Sequence, residues 1–477
     1  QRQMCIRDST MCMNLILVQP FYVFFLLSII FIYYLCTMRI AIIGAGAAGC
    51  FAAVNLKRMC PQAYVTVYES GRKPLAKVAV TGGGRCNLTN SFAEVRGLAA
   101  VYPRGERLMK RLLRVFGHED VCAWFEREGV RLVTQDDCCV FPQSQDAMEI
   151  VGTLTRLMHR GGVKLLTGHR VVDIVPLGGA ALESGAAGKP RFSVVARPAD
   201  ALSPDDVMSA SYDVVIVTTG GSQKQSGLDM LRSLSVDTVF PVPSLFSLCL
   251  PGCGITEMSG TVVAEVTAGL TGTKLRASGP LLITHWGMSG PAILKLSSYA
   301  ARLLHDNEYR AELCINWFGD ATGQEALDVL TAFAVGHPQR QLSSLYPRQL
   351  NNRLWQYLLA GCGLNPAMRW GELGRKGMNR LVETLVNSRY RVEGKNRFKE
   401  EFVTCGGVSL GEVDPRTLEC RKHSGLYFAG EVLDVDAITG GFNLQAAWTM
   451  GYVVARAVGD KYQKSFNQSI KPDNYDK

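Results

Sequence analysis

The chain has 477 residues, too many for one simple core, so we expect two or three domains. Hydrophobic residues make up 47% and charged residues 19%, which excludes a disordered chain. The formal net charge of +9 is spread thinly and gives only weak support to a nucleic-acid surface. The densest basic stretches are residues 104–114 and 389–399.

Fifteen cysteines in a chain of this length do not indicate a disulfide framework. Their spacing matches no metal site, and the adjacent pair Cys138 and Cys139 has no histidine nearby to complete a ligand set. We therefore predict reduced thiols, no bound metal and a cytoplasmic location.

Residues 13–36 are nearly all apolar and long enough to span a bilayer. Residues 4–9, however, resemble a translated sequencing adapter, and Met38 directly opens a strand expected in the middle of a sheet. A membrane helix ending at Cys36 would leave no linker to that strand. We interpret residues 1–37 as an artefact or a non-native leader and expect no membrane partner; a true anchor is the alternative.

From Met38 onward the pattern predicts a dinucleotide-binding unit. A β-branched run over residues 39–44 leads into the glycine motif GAGAAG at 44–49 and an apolar helix over residues 50–59. A second strand over residues 63–69 ends in an acid, Glu69. The glycines permit a tight turn, backbone contact with a pyrophosphate and close helix packing, while the acid accepts hydrogen bonds from a ribose. The predicted contacts are Gly44, Gly46, Ala47, Ala48, Gly49 and Glu69.

The rest of the chain indicates that this nucleotide-binding domain is interrupted and then completed. Strand patterns occur at 162–175, 192–196 and 213–221, short alternating runs at 240–320 favour a β-rich barrel or sandwich, and residues 325–392 are helical in pattern. Strand texture returns near Phe402, and a long apolar helix starts at Gly441. The predicted boundaries are 38–224 and 398–460 for the two parts of the nucleotide-binding domain, 225–325 for the β-rich insert, 326–397 for a helical subdomain and 461–477 for a polar tail.

Two further glycine-rich segments indicate contacts with a flat, charged ligand. Three glycines at 82–84, after a strand-like segment, bring bare backbone against such a group, where Arg85 and Asn87 can contact phosphate or ring edges. An ordinary glycine turn is the alternative. Gly430 and Glu431 precede the segment TGGFNLQ (439–445) at a helix start, and a helix N-terminus there would stabilise negative charge on a reduced flavin.

Four motifs together carry a resemblance: GAGAAG (44–49), TGGGRCNLTN (81–90), THWGMSGPA (284–292) and GLYFAGEVLDVD (425–436) through Gln445. From Met38 to about Ala457 the chain resembles the BaiN-like (YhiN-type) bacterial flavoproteins, also known as aminoacetone-oxidase-type FAD-binding enzymes. The resemblance implies an α/β fold, with a glutathione-reductase-style, Rossmann-like FAD-binding domain interrupted by a β-barrel insertion and a small helical subdomain. Ala437 and Ile438 stand where relatives often carry Gly-Tyr, a minor departure.

The resemblance extends the set of FAD contacts beyond the first glycine motif. It implies contacts at Gly84, Arg85, Glu431 and Asn443. We also predict FAD contacts at Gly83, Asn87, Val172, Gly220, Gly430, Gly441 and Leu444.

The residues near these motifs restrict the kind of flavin chemistry. Cys86 has no second cysteine at the Cys-x4-Cys spacing of disulfide reductases, since Ser91 stands five residues on, so we predict a packing role for it. There is no second glycine-rich unit for a nicotinamide nucleotide, so NAD(P)H would bind transiently against the flavin. His285 and Ser289 are the candidate catalytic residues, because a histidine can exchange a proton while hydride moves to or from a flavin. A structural role for His285 in a tight turn is the alternative.

We expect an FAD-dependent oxidoreductase, specifically an NAD(P)H-linked reductase of a small organic substrate with an enone-like C=C bond. A flavin amine oxidase or dehydrogenase is the alternative with the same cofactor. A flavin-dependent tRNA-modifying or RNA-binding protein is the alternative from another class, although the sequence shows no concentrated basic and aromatic face. A third alternative, a membrane-anchored dehydrogenase that reduces quinone, would require residues 13–36 to be part of the native protein.

Overall fold

The computed structural model describes residues 38–177, 191–201, 203, 205–222, 224–396 and 403–469. The segment predicted to be an artefact or leader, residues 1–37, lies outside the described residues. The last helix continues to Ser469, into the predicted polar tail, and residues 470–477 of that tail are also outside. In the described ranges no helix combines the length and apolar character needed to cross a membrane.

The structure alternates short strands and helices along the chain. The strands are β1 (Arg39–Ile43), β2 (Tyr64–Tyr68), β3 (Thr89–Asn90), β4 (Leu132–Thr134), β5 (Cys139–Pro142), β6 (Lys164–Leu166), β7 (His169–Pro176), β8 (Phe192–Pro198), β9 (Met208–Tyr212), β10 (Val214–Val217), β11 (Thr238–Ser244), β12 (Leu248–Cys249), β13 (Val262–Leu270), β14 (Arg276–Thr284), β15 (Gly287–Ser289), β16 (Arg310–Asn316), β17 (Ser388–Lys395), β18 (Val403–Val408) and β19 (Leu426–Phe428).

The helices carry separate labels. They are α1 (Ala47–Met59), α2 (Ala76–Val80), α3 (Leu98–Val101), α4 (Glu106–Leu112), α5 (His118–Arg127), α6 (Ala147–Arg160), α7 (Pro291–Tyr299), α8 (Ala301–Asp306), α9 (Gly323–Gly336), α10 (Asn352–Gly361), α11 (Gly374–Val386) and α12 (Phe442–Ser469), and 3-10 turns occur at Gln225–Leu234, Gly254–Met258, Trp370–Glu372 and Leu410–Glu412.

A parallel five-stranded sheet with the order β19-β10-β1-β2-β6 forms the centre of the first domain. The predicted unit of strand, helix and strand is present as β1, α1 and β2, with β1 and β2 paired in parallel. Ile40, Ala41 and Ile42 of β1 are completely buried. A strand covered on both faces reads as a continuous apolar run, which explains why the sequence pattern was so clear here.

Two smaller sheets extend this domain. Strands β7, β8 and β9 form an antiparallel meander, and β3, β5 and β4 form a second three-stranded sheet. The segment before the three glycines is the short helix α2, not the strand that the sequence indicated. Its five residues, AKVAV, are too few to show a helical period, so the β-branched valines misled the interpretation.

The predicted β-rich insert is a closed barrel with the order β12-β15-β14-β13-β16-β17. Its interior is apolar, with Leu248, Ile283 and Met288 completely buried. The barrel closes through β17, whose residues 388–395 lie within the range assigned from sequence to the helical subdomain. Helices α9, α10 and α11 bury Leu330, Trp355 and other residues in the same core as the barrel, so the barrel and the helices form one packed unit.

An antiparallel ribbon of β11 and β18 connects the two units. Strand β11 leads towards the barrel, β18 follows it, and Ser244 at the end of β11 is the register partner of Val403 at the start of β18. The chain therefore leaves the first domain and returns to it at the same place. Strand β19 then completes the parallel sheet, and α12 packs along α1.

The close approach of α12 to α1 depends on a missing side chain at Gly451. A Cβ atom there would lie 2.6 Å from the backbone oxygen of Ala48. We expect Gly451→Ala to lower the free energy of unfolding by about 1–3 kcal/mol, the usual cost of overpacking. Gly152→Ala is the matched control, because Gly152 lies inside α6, where an added Cβ would have no atom within 4 Å.

The control should raise stability by about 0.5–1 kcal/mol, since alanine restricts the unfolded chain more than glycine does. Urea unfolding followed by tryptophan fluorescence measures both variants. Equal stability of the two variants would contradict the close packing of α12 on α1.

Candidate functional site

The first glycine motif forms the tight turn between β1 and α1. Gly44 has φ +107°, and a Cβ atom there would lie 2.5 Å from the backbone oxygen of Thr218. A Cβ atom at Gly49 would overlap the carbonyl oxygen of Gly44. Thr218 completes the turn by donating from its Oγ1 to the carbonyl of Gly44 (2.8 Å). Sequence reasoning missed Thr218, although its position directly after β10, at the same sheet edge as the glycines, is the signal that could have found it.

Gly46, in contrast, faces open space. A Cβ atom added at this position, the N-cap residue of α1, would have no atom within 4 Å. The cap has no side-chain hydrogen bond, and the first turn has no acidic residue. Ala47 and Ala48 follow with small side chains. The first N–H groups of the helix are therefore available to an anion, and the helix dipole favours negative charge there.

Glu69 follows β2 and returns to the glycine turn. Its Oε2 accepts a hydrogen bond from Ala45 N–H (2.9 Å), and its Oε1 accepts one from Gly71 N–H (2.7 Å). Ser70 Oγ also donates to Oε1 (3.4 Å), and since a carboxylate offers about four acceptor sites, capacity is left for a ribose hydroxyl group. The structure thus holds the predicted acid against the predicted phosphate-binding turn.

The triple-glycine segment is a loop in the left-handed region of backbone space. Gly82, Gly83 and Gly84 have φ values of 63°, 69° and 83°. Cβ atoms added at Gly83 and Gly84 would meet no atom within 4 Å, so both glycines expose bare backbone. The guanidinium of Arg85 is exposed and lies over the ring of Phe141, with its Cζ atom 4.5 Å from the ring centroid.

The three glycine-rich segments, which are far apart in sequence, contact one another. The amide nitrogen of Asn87 donates a hydrogen bond to the carbonyl of Thr89 (3.0 Å). The amide oxygen of Asn87 accepts one from Gly441 N–H (3.2 Å). This bond connects the triple-glycine loop to the start of α12. At Gly430, an added Cβ would lie 3.1 Å from the Cβ of Ala48, so the segment after β19 packs directly on α1.

Glu431 connects further parts of the site. Its Oε1 accepts a hydrogen bond from Thr404 N–H (2.7 Å), and its Oε2 lies 3.8 Å from Nζ of Lys77. Gly220 is beside it, since a Cβ added to this glycine would lie 3.9 Å from Oε2. The sequence did not identify Thr404 or Lys77. Both contacts depend on long-range folding and have no local signal.

The side chains of the last predicted contacts serve the loop itself. Asn443 Nδ2 donates to the carbonyl of Ala437 (2.9 Å), and its Oδ1 accepts from Ala437 N–H (2.9 Å). Leu444 is half-buried and packs against the domain core. Val172 lies at the register shift between Val171 and Asp173 in β7, outside the cluster just described. Whether these residues contact FAD remains a prediction.

His285 and Ser289 lie on one hairpin but not at one point. His285 is exposed in the turn between β14 and β15, where its ring meets Trp286 edge-on at 4.4 Å. Ser289 is the register partner of Leu282, two pairs further from the turn, and its Oγ accepts a hydrogen bond from Ser247 Oγ (2.7 Å). The structure does not pair these two side chains with each other.

Cys86 is completely buried in the core, with φ +62°. Burial raises the pKa of its thiol to about 12. The thiol is therefore protonated at neutral pH, and the residue packs as the sequence predicted. Among the described residues, no group of His, Cys, Asp and Glu side chains has an arrangement that could hold a metal ion.

A buried ion pair behind the site was not predicted. Arg104 makes two hydrogen bonds to the carboxylate of Asp436, whose side chain is 0% exposed. Ser244 Oγ donates to the same carboxylate (2.9 Å), and Arg104 also donates to the carbonyl of Ser298 (2.7 Å). Burial raises the pKa of Asp436, and the hydrogen bonds from Arg104 oppose that rise.

These residues fit a dinucleotide such as FAD. The open backbone at Gly46 and the uncapped start of α1 suit a pyrophosphate, and Glu69 suits a ribose. The exposed glycines 83 and 84 leave room for a flat ring system next to Arg85. The fold and this site define a Rossmann-type dinucleotide-binding protein.

Comparison with known proteins places the chain in a family. Residues 38–457 match the family model described as "HI0933-like protein Rossmann domain", and the chain belongs to this family. It is 28% identical to the 3-dehydro-bile acid delta(4,6)-reductase of Clostridium scindens over 440 residues, which cover 89% of this chain and 99% of that protein. The resemblance found in the sequence is confirmed, and the chain is an FAD-dependent oxidoreductase.

Two further comparisons concern one relative and one solved structure. The chain is 28% identical to the ribosomal RNA dihydrouridine synthase of Escherichia coli over 439 residues, which cover 87% of this chain and 96% of that protein. The structure of the 3-ketosteroid delta1-dehydrogenase of Sterolibacterium denitrificans aligns with 11% identity and a TM-score of 0.46, covering 89% of this chain and 100% of that one.

The role of the open space at Gly46 can be tested by filling that space with a side chain. We expect Gly46→Val to lower FAD occupancy at least about tenfold, because the added side chain occupies the space that the phosphates approach. Gly97→Val is the matched control: Gly97 is also a helix N-cap residue in extended backbone with open space where a Cβ would lie. The ratio of flavin to protein absorbance in purified samples measures occupancy, and equal ratios in both variants would refute this assignment.

The contribution of the buried ion pair can be tested separately. Arg104→Ala leaves Asp436 buried without its cation, and we expect a loss of about 3–5 kcal/mol in the free energy of unfolding. Arg391→Ala is the control, because Arg391 is 84% exposed in its pair with Glu393 and such pairs contribute about 0–1 kcal/mol. Urea unfolding of both variants gives the comparison, and similar midpoints would show that the pair is not structural.

Proposed function

We propose that this protein is an NAD(P)H-linked reductase of a carbon–carbon double bond conjugated to a carbonyl group. The observation that carries the proposal is the dinucleotide site at Gly46, where a glycine-rich turn joins the parallel strand β1 to the start of helix α1. With FAD in that site, a nicotinamide nucleotide would bind transiently, as a donor does.

The names of the relatives support the choice of reaction. A delta(4,6)-reductase and a dihydrouridine synthase share one chemistry, because each name describes the saturation of C=C bonds. In a 3-oxo steroid and in uracil, that bond is conjugated to a carbonyl group. Conjugation makes the far carbon electrophilic, so a hydride adds there and a proton adds to the carbon next to the carbonyl.

FAD supplies the two-electron step between the nicotinamide and the substrate when it is bound. We assign its contacts to the residues predicted from sequence, with the pyrophosphate at Gly46, the ribose at Glu69 and the ring near Arg85. We also assign the domain to the glutathione-reductase type, since the meander of β7, β8 and β9 interrupts its parallel sheet and β19 completes that sheet.

The polar residues of the barrel are proposed to act on the substrate. Ser289 accepts from Ser247, so its own hydroxyl hydrogen is free to donate to a substrate carbonyl. His285, exposed in the neighbouring turn, is our candidate for the proton donor. The cysteine usage of the sequence favours a reducing compartment, and we propose a cytoplasmic location.

A second candidate substrate is a uracil base in RNA, for which the names of two relatives provide the reason. The reaction would be the same, and only the molecule that carries the double bond would differ. With this substrate nucleic acid would be a partner, in contrast to the expectation from the sequence. The flavin amine oxidase remains the alternative in which the substrate itself donates the electrons.

The proposal predicts that NADH or NADPH reduces the flavin. The visible spectrum of the anaerobic protein should lose its oxidised flavin bands within seconds of adding one of the two nucleotides. Gly46→Val, depleted of FAD, is the negative control. If the flavin stays oxidised with both nucleotides but is reduced by an amine, the protein is an oxidase or dehydrogenase and the proposed direction is wrong.

A further inference from the structure

Five cationic side chains line one open groove on the surface of the first domain. The groove has a volume of about 490 Å³ and is lined by Arg107, Lys110, Arg111, Arg114 and Arg416. Among the residues that the structure describes, no carboxylate lines it. The sequence showed basic residues at 104–114, mixed with apolar ones, but gave no indication that they form a surface.

The fold creates this cluster from two distant parts of the chain. Arg107, Lys110 and Arg111 lie on α4, and Arg114 follows the end of that helix. Spacings of three, four and seven residues place these side chains on one face along about 10 Å of helix axis. Arg416 reaches the same groove from the loop between β18 and β19.

The charges are only partly compensated. Arg416 forms an exposed ion pair with Asp414 (3.3 Å), but no carboxylate among the described residues pairs with the four cations of the α4 segment. Lys110, Arg111 and Arg114 lie near the C-terminus of α4, where the helix dipole favours positive charge. Arg416 comes from another segment, so the dipole of α4 does not explain why this cation lies in the same groove.

The helix that carries most of the groove, α4, begins beside the segment that leads to the candidate flavin site. Gly105, next to the first turn of α4, packs against Val435, and a Cβ added to this glycine would lie 2.5 Å from the Cγ2 of that valine. Val435 and Asp436 lie in the segment between β19 and α12. A ligand held along α4 would therefore lie close to the segment that leads to the predicted flavin contacts.

We propose that this groove binds the phosphate backbone of an RNA strand and so presents a base to the flavin site. This rests on the RNA form of the proposed function. Four of the five cations are arginines, whose planar guanidinium matches phosphate oxygens in a bidentate arrangement. A lipid surface is disfavoured, because the apolar residues of α4, Leu108, Met109 and Leu112, are buried and cannot insert into a bilayer.

The test measures RNA binding by the FAD-loaded protein with a fluorescein-labelled, uridine-containing RNA hairpin at several salt concentrations. The variant Lys110→Ala/Arg111→Ala removes two groove cations. The control Arg375→Ala/Lys376→Ala removes two exposed cations that are adjacent in sequence on α11. It changes the net charge by the same amount.

We expect the groove variant to bind about tenfold more weakly and to lower the slope of log K against log salt by about 1.4–1.8, as the loss of two phosphate contacts predicts. The control should bind like the unmodified protein. No binding at low salt, or equal weakening by both variants, would overturn the proposal.

Two further probes distinguish other sources of phosphate. If inorganic phosphate displaces the RNA at matched phosphate concentration, or if vesicles of phosphatidylserine bind through the groove while RNA does not, the RNA assignment is wrong. Reduction of the flavin by NAD(P)H is measured in the same samples and should be unchanged in both variants. Failure of that reduction would refute the proposed function and leave the RNA-binding result to be judged separately.

Discussion

The ion pair between Arg104 and Asp436 is the contact on which several separate stretches of the chain depend. Burial removes both charges from water, and this cost is offset only when the geometry is good and the remaining hydrogen-bonding groups are satisfied. Ser244 and the carbonyl of Ser298 supply those partners. The four residues come from four segments: Arg104 from the first domain, Ser244 from the ribbon, Ser298 from α7 and Asp436 from the C-terminal part. The ion pair is therefore satisfied in one arrangement of these segments.

This constraint carries through to the candidate site. Asp436 lies between β19 and α12, so its fixed position also fixes where Gly441 and Asn443 begin the long helix. Asn87 then connects that start to the triple-glycine loop. The site is built largely from backbone groups, and the position of these groups depends on the side chains that pack against and hydrogen-bond to them.

The sequence predicted the parts of the fold that have a local cause. The glycine turn at 44–49, the acid Glu69 and the strand between them follow from the needs of a tight turn and a buried parallel strand, and these elements lie as expected. The triple-glycine loop was also visible, because few other residues adopt three consecutive left-handed conformations.

The features that the sequence did not predict depend on contacts between residues that are far apart in the chain. Nothing near Arg104 indicates that its partner is Asp436, and nothing near residue 388 indicates that a strand there will close a barrel begun at residue 248. The helix at 76–80 was missed for the opposite reason, because five residues are too short a window for a periodic signal. Thr218 could have been found by asking which residues follow each buried strand at the sheet edge shared with the glycines.

The ribbon of β11 and β18 gives the molecule a modular construction. Because Ser244 and Val403 face each other in register, the chain between them forms one excursion that starts and ends within a single strand pair. A short hairpin turn could join the two strands and remove the whole barrel unit without reordering the parallel sheet. The same geometry would let a different unit be exchanged at this position, so that the nucleotide-binding part keeps its cofactor while its substrate-facing half is replaced.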